Sequence, residues 1–217
     1  MFVIGVTGCA GSGKSYVLDC AKTLTHAPVI DSDRVCRGLM GPGGEAYENV
    51  VKEFGTPYLR EDGTLDREKL AKDVFADEEA LTRLNAATHP ATIRAINDMI
   101  ASYAAAGEQI VFVESALAEQ AGYREFCREI WVVCASEEVR LERLRKRGYS
   151  EERIADLMSR QLSQERMISM ADRIITNSRD NDYFGILHQL MFHLDGACGR
   201  QGWVRCAEFG GNRKEPQ

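Results

Sequence analysis

The 217-residue sequence lacks paired cysteines, an excess of positive charge and any long apolar run. Its seven cysteines are scattered without a Cys-x-x-Cys pair, which argues against a disulfide framework and a structural zinc site and favours a reducing cytoplasm. Acidic side chains outnumber basic ones by 33 to 27, which argues against a nucleic-acid partner, because phosphate contacts need a basic surface. No stretch approaches the roughly 20 apolar residues of a membrane span, so no membrane partner is expected.

Signals for targeting, internal repetition and low complexity are missing as well. The apolar start, residues 1–6, runs into glycines without the basic region and long apolar core of a signal peptide. Hydrophobic residues make up 44% and charged residues 28%, which is typical of a soluble globular protein. The sequence does not encode an oligomeric state in any readable pattern, and a monomer or weak homo-oligomer is the expectation.

Short apolar runs alternate with longer amphipathic segments, and this alternation predicts an α/β fold with a parallel sheet covered by helices. The nearly continuous apolar character of the runs is expected of strands buried on both faces. The gaps between them are long enough for the crossovers that parallel strands require. The predicted strands are 2–7, 28–31, 109–114, 129–134 and 173–176.

Two gaps exceed the length of one crossover helix, which predicts a helical insertion and a helical lid added to the core. Helices are predicted from Lys14 to Thr25, after an N-cap at Asp66, from Ala91 to Ala106 behind Pro90, and from Tyr183 to Leu194. Leu70, Val74 and Phe75 should share one face of the second helix. The lid should contain two helices joined at residues 148–150. The predicted divisions are core 1–36, insertion 37–106, core 107–135, lid 136–168, core 169–194 and a loose tail 195–217 in which Trp203 and Phe209 could still dock.

The strongest motif is Gly-x4-Gly-Lys-Ser between the first strand and the first helix. Its glycines let backbone N–H groups turn towards phosphate oxygens, and the helix N-terminus adds a favourable dipole. Lys14 can reach the β- and γ-phosphates, and the Ser15 hydroxyl can ligate Mg²⁺, so the motif predicts binding of ATP or a related triphosphate. The loop consists of Gly8, Cys9, Ala10, Gly11, Ser12, Gly13, Lys14 and Ser15.

Carboxylates close two of the predicted strands. Asp31 and Asp33 follow the second strand, at the edge of the sheet where ligands bind in such folds, and could serve as a metal-associated acid and as a base. The alternative is that one of them caps the next helix. Glu114 ends the third strand, either beside a metal or facing solvent.

Arginines recur in the predicted lid at positions 140, 143 and 147, which share one helix face. An arginine delivered by a lid would stabilise the charge of a transferring phosphoryl group and exclude water. The alternative is a solvated basic face paired with glutamates at 137, 138 and 142. His89 before Pro90 is interpreted as a cap or a packed side chain unless it contacts substrate.

With these residues assembled, the sequence resembles the dephospho-coenzyme A kinase family of P-loop kinases. The likeness extends from Val3 to about Leu194 and includes segments far more specific than the phosphate loop. They are 4–15, 30–33 with Arg37, 54–55, 62–70, 74–75, 89–90, 114–117, 130–133, 141–144, Arg147, Gln161, 171–172 and Asn177.

The resemblance implies a P-loop kinase-like five-stranded sheet and transfer of the γ-phosphoryl group of ATP, with Mg²⁺, to the ribose 3'-hydroxyl of dephospho-coenzyme A. It implies a substrate-binding insertion, catalytic roles for Asp33 as base, Lys14 and Arg143, and metal roles for Ser15 and Asp31. The implied ATP contacts are the loop with Tyr16, Arg147 and Asn177. The implied substrate contacts are Asp33, Arg37, His89 and Glu114.

The sequence departs from the family pattern at two places. Glu114 and the three residues after it replace an aspartate and a Pro-Leu-Leu run, and glutamate can do similar work. Leu157 stands where members often carry an arginine, so Arg153 or Arg160 is the candidate replacement.

Three other functions compete with this interpretation. A nucleoside or nucleotide kinase would share the same core, and a degenerate module would bind nucleotide without chemistry. A GTP-binding switch is disfavoured because no Asn-Lys-x-Asp motif is present to read guanine.

Overall fold

The computed structural model describes residues 1–74, 77–115, 122–179, 182–199 and 203. Four residues that the sequence analysis named lie outside the described ones, together with most of the predicted tail. They are Phe75, Ala116, Leu117 and Phe209.

The core is a five-stranded parallel sheet, as predicted. Its strands are β1 (Phe2–Thr7), β2 (Val29–Asp31), β3 (Ile110–Glu114), β4 (Glu129–Cys134) and β5 (Arg173–Thr176), within two residues of the predicted bounds. The strand order is β2-β3-β1-β4-β5, so β1, which leads into the phosphate loop, lies in the centre.

Burial on both faces explains why the strands are apolar throughout. All six residues of β1 are buried, and Ile4 lies beside Phe112 of β3 in the parallel register. The Phe112 ring meets Trp131 of β4 edge to face at 6.2 Å between centroids. These side chains form one cluster with helix residues such as Val17 and Leu190, which fixes the sheet beneath the loop.

Helices connect the strands. Helix α1 (Lys14–Thr25) and helix α9 (Tyr183–Cys198) contribute to the main core. The other helices of the described residues are α2 (Ser32–Leu39), α3 (Glu45–Phe54), α4 (Arg67–Val74), α5 (Glu78–Ala105), α6 (Glu137–Lys146), α7 (Glu151–Ser159) and α8 (Gln164–Ser169), with 3-10 turns at Thr56–Tyr58 and Tyr123–Glu125. None of the described helices combines the length and the apolar character needed to cross a bilayer.

The chain divides into two compact units. We call Met1–Ile30 together with Tyr103–Gln217 the loop unit, and Asp31–Ser102 the insertion unit. The insertion unit has its own apolar cluster around Val50, Leu70 and Val74. The predicted insertion, 37–106, overlaps this unit, and the predicted lid, 136–168, falls within the loop unit.

The prediction that a helix begins behind Pro90 is wrong. Helix α5 runs through the proline from Glu78 to Ala105. Proline removes one intrahelical hydrogen bond, but the buried face of the helix, which includes Ala91 and Ile96, continues past it. Asn49 of α3 also donates its side-chain amide to the Ala87 carbonyl, 3.1 Å away, beside the interruption.

Two further boundaries differ from prediction. The 136–169 region contains three helices rather than two, because Ser163 begins α8 by accepting the Arg166 N–H at 3.2 Å. Helix α9 continues past Leu194 to Cys198 despite Gly196, whose missing side chain leaves room for the Arg173 guanidinium. The predicted N-cap at Asp66 is confirmed by a bond from the Lys69 N–H, and Ser150 caps α7 by accepting the Arg153 N–H.

Trp203 docks, as the sequence analysis allowed. Its side chain is buried against the main core, and its indole N–H donates to Asp195 Oδ1 at 2.6 Å. The chain therefore returns to the core after α9.

Candidate nucleotide-binding site

The phosphate loop lies between the end of the central strand and the start of α1. Gly13 caps the helix in a left-handed conformation, with φ 85° and ψ 33°. A Cβ at this position would lie 2.2 Å from the Asn177 amide nitrogen, so conformation and space both require glycine. Gly11 has φ 78°, and a Cβ there would collide with the backbone of Arg140. Asn177 and the backbone of Arg140 therefore pack closely against the loop.

Lys14 and Ser15 occupy the first two positions of α1. The Lys14 ammonium donates to the Gly8 carbonyl at 2.8 Å, which places the cation over the loop. Ser15 is exposed in the first helical turn, where a hydroxyl is accessible to a metal. Ser12 Oγ is buried with no hydrogen-bond partner among the described residues. A buried hydroxyl without a partner, next to left-handed glycines and a helix N-terminus, fits a site that receives phosphate oxygens.

Arg143 and Asn177 hold the loop from behind. One guanidinium nitrogen of Arg143 donates to the carbonyl of Asn177 at 2.9 Å and to those of Ser12 and Gly11 at 3.3 and 3.4 Å. The Asn177 side chain, which is buried, donates to the Ser12 carbonyl at 2.9 Å. Both predicted site residues therefore contact the loop, and the contacts of Arg143 with the loop are with backbone carbonyls.

Arg140 lies one helical turn before Arg143 and is 8% exposed. Its Nε has no hydrogen-bond partner within the described part of the chain. Two other cations of α6, Arg145 and Lys146, lie off the face that residues 140, 143 and 147 share. They form surface pairs, Lys146 with Glu142 at 2.8 Å and Arg145 with Glu151 at 2.7 Å. The alternative of a solvated basic face concerned positions 140, 143 and 147. It fits exposed Arg147, whereas Arg140 is buried and Arg143 contacts the loop.

The turn between α7 and α8 also contacts the loop. The Ala10 N–H donates to Gln161 Oε1 at 2.8 Å. The Cys9 thiol lies 3.8 Å from the Leu162 carbonyl and 3.8 Å from the Met167 sulfur. These groups belong to a buried cluster that includes Val132 of β4. The first half of the loop is consequently attached to the turn between α7 and α8 and to α8 itself, within the predicted lid.

Burial raises the pKa of the Cys9 thiol, and the positive charges of Arg140 and Lys14 oppose this shift only in part. Burial also raises the pKa of Cys134 to about 11. Both groups are therefore protonated at neutral pH and behave as small apolar side chains rather than as nucleophiles.

Three other predicted contacts belong to the loop unit. Glu114 is the last residue of β3 and is half-buried. In the parallel register it lies beside Val6 of β1, and Val6 is two residues before the start of the phosphate loop. Tyr16 packs its side chain against the main core, and burial raises its pKa. Arg147 is the exposed C-cap of α6.

Three predicted residues, at the end of β2 or shortly after it, belong to the insertion unit. Asp31 caps α2, since its Oδ1 accepts the Arg34 N–H at 2.9 Å, and its Oδ2 lies 3.9 Å from the Arg37 guanidinium. The capping alternative is therefore observed for Asp31. Asp33 lies in the first turn of α2, where a carboxylate is favoured by the helix dipole.

His89 lies inside α5 rather than at its start, so the expectation of a cap is wrong. The side chain is half-buried, and burial lowers its pKa below the ordinary value. It is therefore neutral at physiological pH, in line with the alternative of a packed side chain.

Two loop contacts were missed by sequence reasoning. Arg140 was recognised only as a member of an arginine face, and Gln161 only as a matching position. The partner of Gln161 is 151 residues away in the chain, so no local pattern indicated it.

A complete phosphate loop after the central strand of a parallel sheet, held by cationic side chains, defines the class of P-loop nucleotide-binding proteins. The family model for dephospho-CoA kinase matches residues 2–182 of this chain. The chain belongs to the dephospho-CoA kinase family.

Named relatives support this membership. A dephospho-CoA kinase of Carboxydothermus hydrogenoformans is 37% identical over 177 residues, which cover 81% of this chain and 85% of the relative. A dephospho-CoA kinase of Bacillus cereus is 37% identical over 189 residues, covering 87% of this chain and 93% of the relative.

Solved structures show the same fold. A crystal structure of a Thermus thermophilus protein has a TM-score of 0.78 at 26% identity, covering 91% of this chain and 97% of the other. A dephospho-CoA kinase from Campylobacter jejuni has a TM-score of 0.63 at 24% identity, covering 91% and 98%. A shikimate kinase from Bacteroides thetaiotaomicron has a TM-score of 0.53 at 13% identity, covering 89% and 97%. The last two likenesses concern the fold alone.

Proposed function

We propose that this kinase transfers the γ-phosphoryl group of ATP to the ribose 3'-hydroxyl of dephospho-coenzyme A, the last step of coenzyme A biosynthesis. The observation that carries the proposal is the complete phosphate loop, built on the central strand within a family match over residues 2–182. The acceptor oxygen forms a bond to the γ-phosphorus while the bond to the β–γ bridging oxygen breaks. ADP leaves, and the hydroxyl proton passes to a base.

The loop and α1 bind the polyphosphate in this proposal. Loop N–H groups and the buried Ser12 hydroxyl receive phosphate oxygens, and Lys14 exchanges its bond to the Gly8 carbonyl for the β- and γ-phosphates. The exposed Ser15 hydroxyl and, less directly, Asp31 would hold Mg²⁺. When bound, Mg²⁺ neutralises charge on the β- and γ-oxygens.

Asp33 is the proposed base for the 3'-hydroxyl. Its carboxylate belongs to the first turn of α2, directly after β2, and a base within hydrogen-bond reach of an alcohol contributes substantially to such transfers. The substrate side would further use Arg37 and His89 of the insertion unit and Glu114 at the end of β3. The neutral state of His89 suits a hydrogen bond to substrate rather than an ion pair.

The ATP side would use Asn177, Tyr16 and two lid arginines. Arg143 already contacts Asn177 and the loop backbone, so its proposed contribution is to hold the loop against the turn that follows β5. Exposed Arg147, at the end of α6, is the arginine proposed to approach the transferring phosphate.

A panel of acceptors tests the proposal. The purified protein is assayed for ADP release with dephospho-coenzyme A, nucleosides and nucleoside monophosphates, in the presence and absence of Mg²⁺. We expect Mg²⁺-dependent turnover with dephospho-coenzyme A and a phosphomonoester at the 3'-oxygen by ³¹P NMR. Preferred turnover of a nucleoside or nucleotide would replace the proposal with the competing kinase, and ATP binding without turnover of any acceptor would indicate a degenerate module.

We further propose that the protein is a small-molecule enzyme of the cytoplasm that works as a monomer or weak homo-oligomer. Sedimentation velocity at micromolar concentration would test the oligomeric part, with a strong dimer as the contrary result.

A further inference from the structure

The phosphate loop is attached to both flanks of the lid region. On one flank, the backbone of Arg140 in α6 lies so close to Gly11 that a Cβ there would be 2.6 Å from the Arg140 carbonyl oxygen. On the other flank, Gln161 accepts the Ala10 N–H at 2.8 Å. Two consecutive residues of the loop are therefore in contact with the chain before and after α7.

The Gln161 contact is well formed and supported by its neighbour. A donor–acceptor distance of 2.8 Å is short for an amide pair, and the bond is partly shielded from water. Leu162 packs into the buried cluster with Cys9, and its carbonyl accepts from the Cys9 thiol. Because these apolar contacts fix the position of residue 162, the Gln161 side chain is held against the loop independently of any ligand.

We propose that Gln161 is a positioning residue for ATP, which keeps the first half of the phosphate loop in its binding conformation by holding the Ala10 N–H. This inference rests on the proposed use of the loop for ATP. The side chain acts through the loop backbone. It also joins the loop to the turn between α7 and α8.

A second glutamine provides a matched control. Gln164 lies three residues further along, and its Oε1 accepts the Ala135 N–H at 3.2 Å, at the end of β4. Both glutamines therefore accept a hydrogen bond from a backbone N–H through Oε1, and both belong to the segment between α7 and the first turn of α8. Only the donor of the Gln161 bond belongs to the phosphate loop.

The test compares Gln161→Met with Gln164→Met, since methionine keeps the length of glutamine without its carbonyl. ATP dissociation constants are measured by calorimetry with Mg²⁺, and KM and kcat by ADP release. For Gln161→Met we expect a five- to tenfold weaker ATP complex and an equally raised KM for ATP, with kcat at saturating ATP within about twofold of wild type. For Gln164→Met we expect ATP binding within about twofold of wild type.

Three results would overturn the proposal. Unchanged ATP binding in Gln161→Met would show that the bond does not position the loop. Tighter ATP binding would show that Gln161 competes with phosphate for the Ala10 N–H. An equal loss of ATP affinity in both variants would show that the segment acts only through general stability.

Circular dichroism and thermal unfolding establish that each variant is folded, and Gln161→Ala serves as a second variant if the methionine disturbs packing.

The ratio of the ATP dissociation constants of variant and wild type does not depend on the acceptor. If the wild type binds ATP but does not phosphorylate dephospho-coenzyme A, the proposed acceptor is wrong while the role of Gln161 is still decided by the two dissociation constants.

Discussion

The loop unit and the insertion unit are stabilised in different ways. The loop unit is built on buried parallel strands and contains a bidentate ion pair, Arg173 with Glu129, whose side chains are only 20% and 17% exposed. It also carries surface pairs such as Arg145 with Glu151. The insertion unit has a smaller apolar cluster and surface pairs such as Arg83 with Glu53, which are 50% and 41% exposed. The difference teaches that the phosphate-binding unit combines its large apolar core with an ion pair that is mostly buried, whereas the ion pairs described in the unit proposed for substrate lie at the surface.

Substitution of the proposed base gives the largest expected effect and separates chemistry from nucleotide binding. Asp33→Asn should lower kcat by about 10²- to 10⁴-fold, because the hydroxyl proton loses its acceptor. ATP affinity should stay near wild type, because the loop unit is unaltered. Asp98→Asn, an exposed carboxylate of α5, is the control with unchanged kcat. Near-normal turnover of Asp33→Asn would remove the catalytic assignment.

Two glycines with positive φ test how tightly the loop is packed. Gly13→Ala and Gly107→Ala both force alanine into a left-handed conformation, at φ 85° and 86°, which costs about 1–2 kcal/mol. Only the Gly13 substitution also displaces the Asn177 amide, whereas nothing lies within 4 Å of a Cβ at Gly107. We expect at least about 1 kcal/mol of additional destabilisation for Gly13→Ala in denaturant titrations, together with loss of ATP binding.

Equal destabilisation by both substitutions, with ATP binding retained in Gly13→Ala, would contradict the packing argument. The Gly107 variant should bind ATP as the wild type does.

The two ion pairs test the contrast between the units directly. Glu129→Gln should lower the free energy of unfolding by about 1–3 kcal/mol, since Arg173 is left half-buried with a weaker partner. Burial alone would raise the pKa of Glu129, but hydrogen bonds from Arg173 and Trp131 outweigh it and lower the pKa. Glu53→Gln should cost less than about 0.5 kcal/mol, as exposed pairs do. Similar costs in urea titrations would erase the distinction.

The smallest expected effect concerns pH. Burial lowers the pKa of His193 in α9, although its bond to the Ile174 carbonyl opposes this shift and Arg173 and Glu129 lie nearby with opposite effects. The unfolded chain therefore binds the proton more readily than the folded one, so this stabilisation is complete above the ordinary histidine pKa and is lost as pH falls below it.

Thermal unfolding at pH 7.5 and 5.5 measures this dependence. His193→Gln should show a smaller loss of melting temperature on acidification than wild type, whereas His188→Gln, an exposed substitution on the same helix, should not. An identical pH response of all three proteins would assign the acid sensitivity elsewhere, with half-buried His89 as the next candidate.

Local sequence patterns predicted the parts of the molecule that depend on local causes. The strands and α1 were found because continuous burial produces apolar runs and because a phosphate loop must precede a helix. Helix α5 was misjudged at Pro90, because packing and a hydrogen bond from another helix outweighed the loss at one residue. The contacts of Arg143 and Gln161 with the loop join positions far apart in the chain, and periodicity carries no information about them.

The docking of Trp203 has a spectroscopic consequence. The chain has only two tryptophans, Trp131 and Trp203, and both are buried in the main cluster of the loop unit. The insertion unit, Asp31–Ser102, has none. Intrinsic tryptophan emission therefore reports on one unit alone, and comparison of fluorescence with far-ultraviolet dichroism during unfolding reveals whether the two units lose structure together.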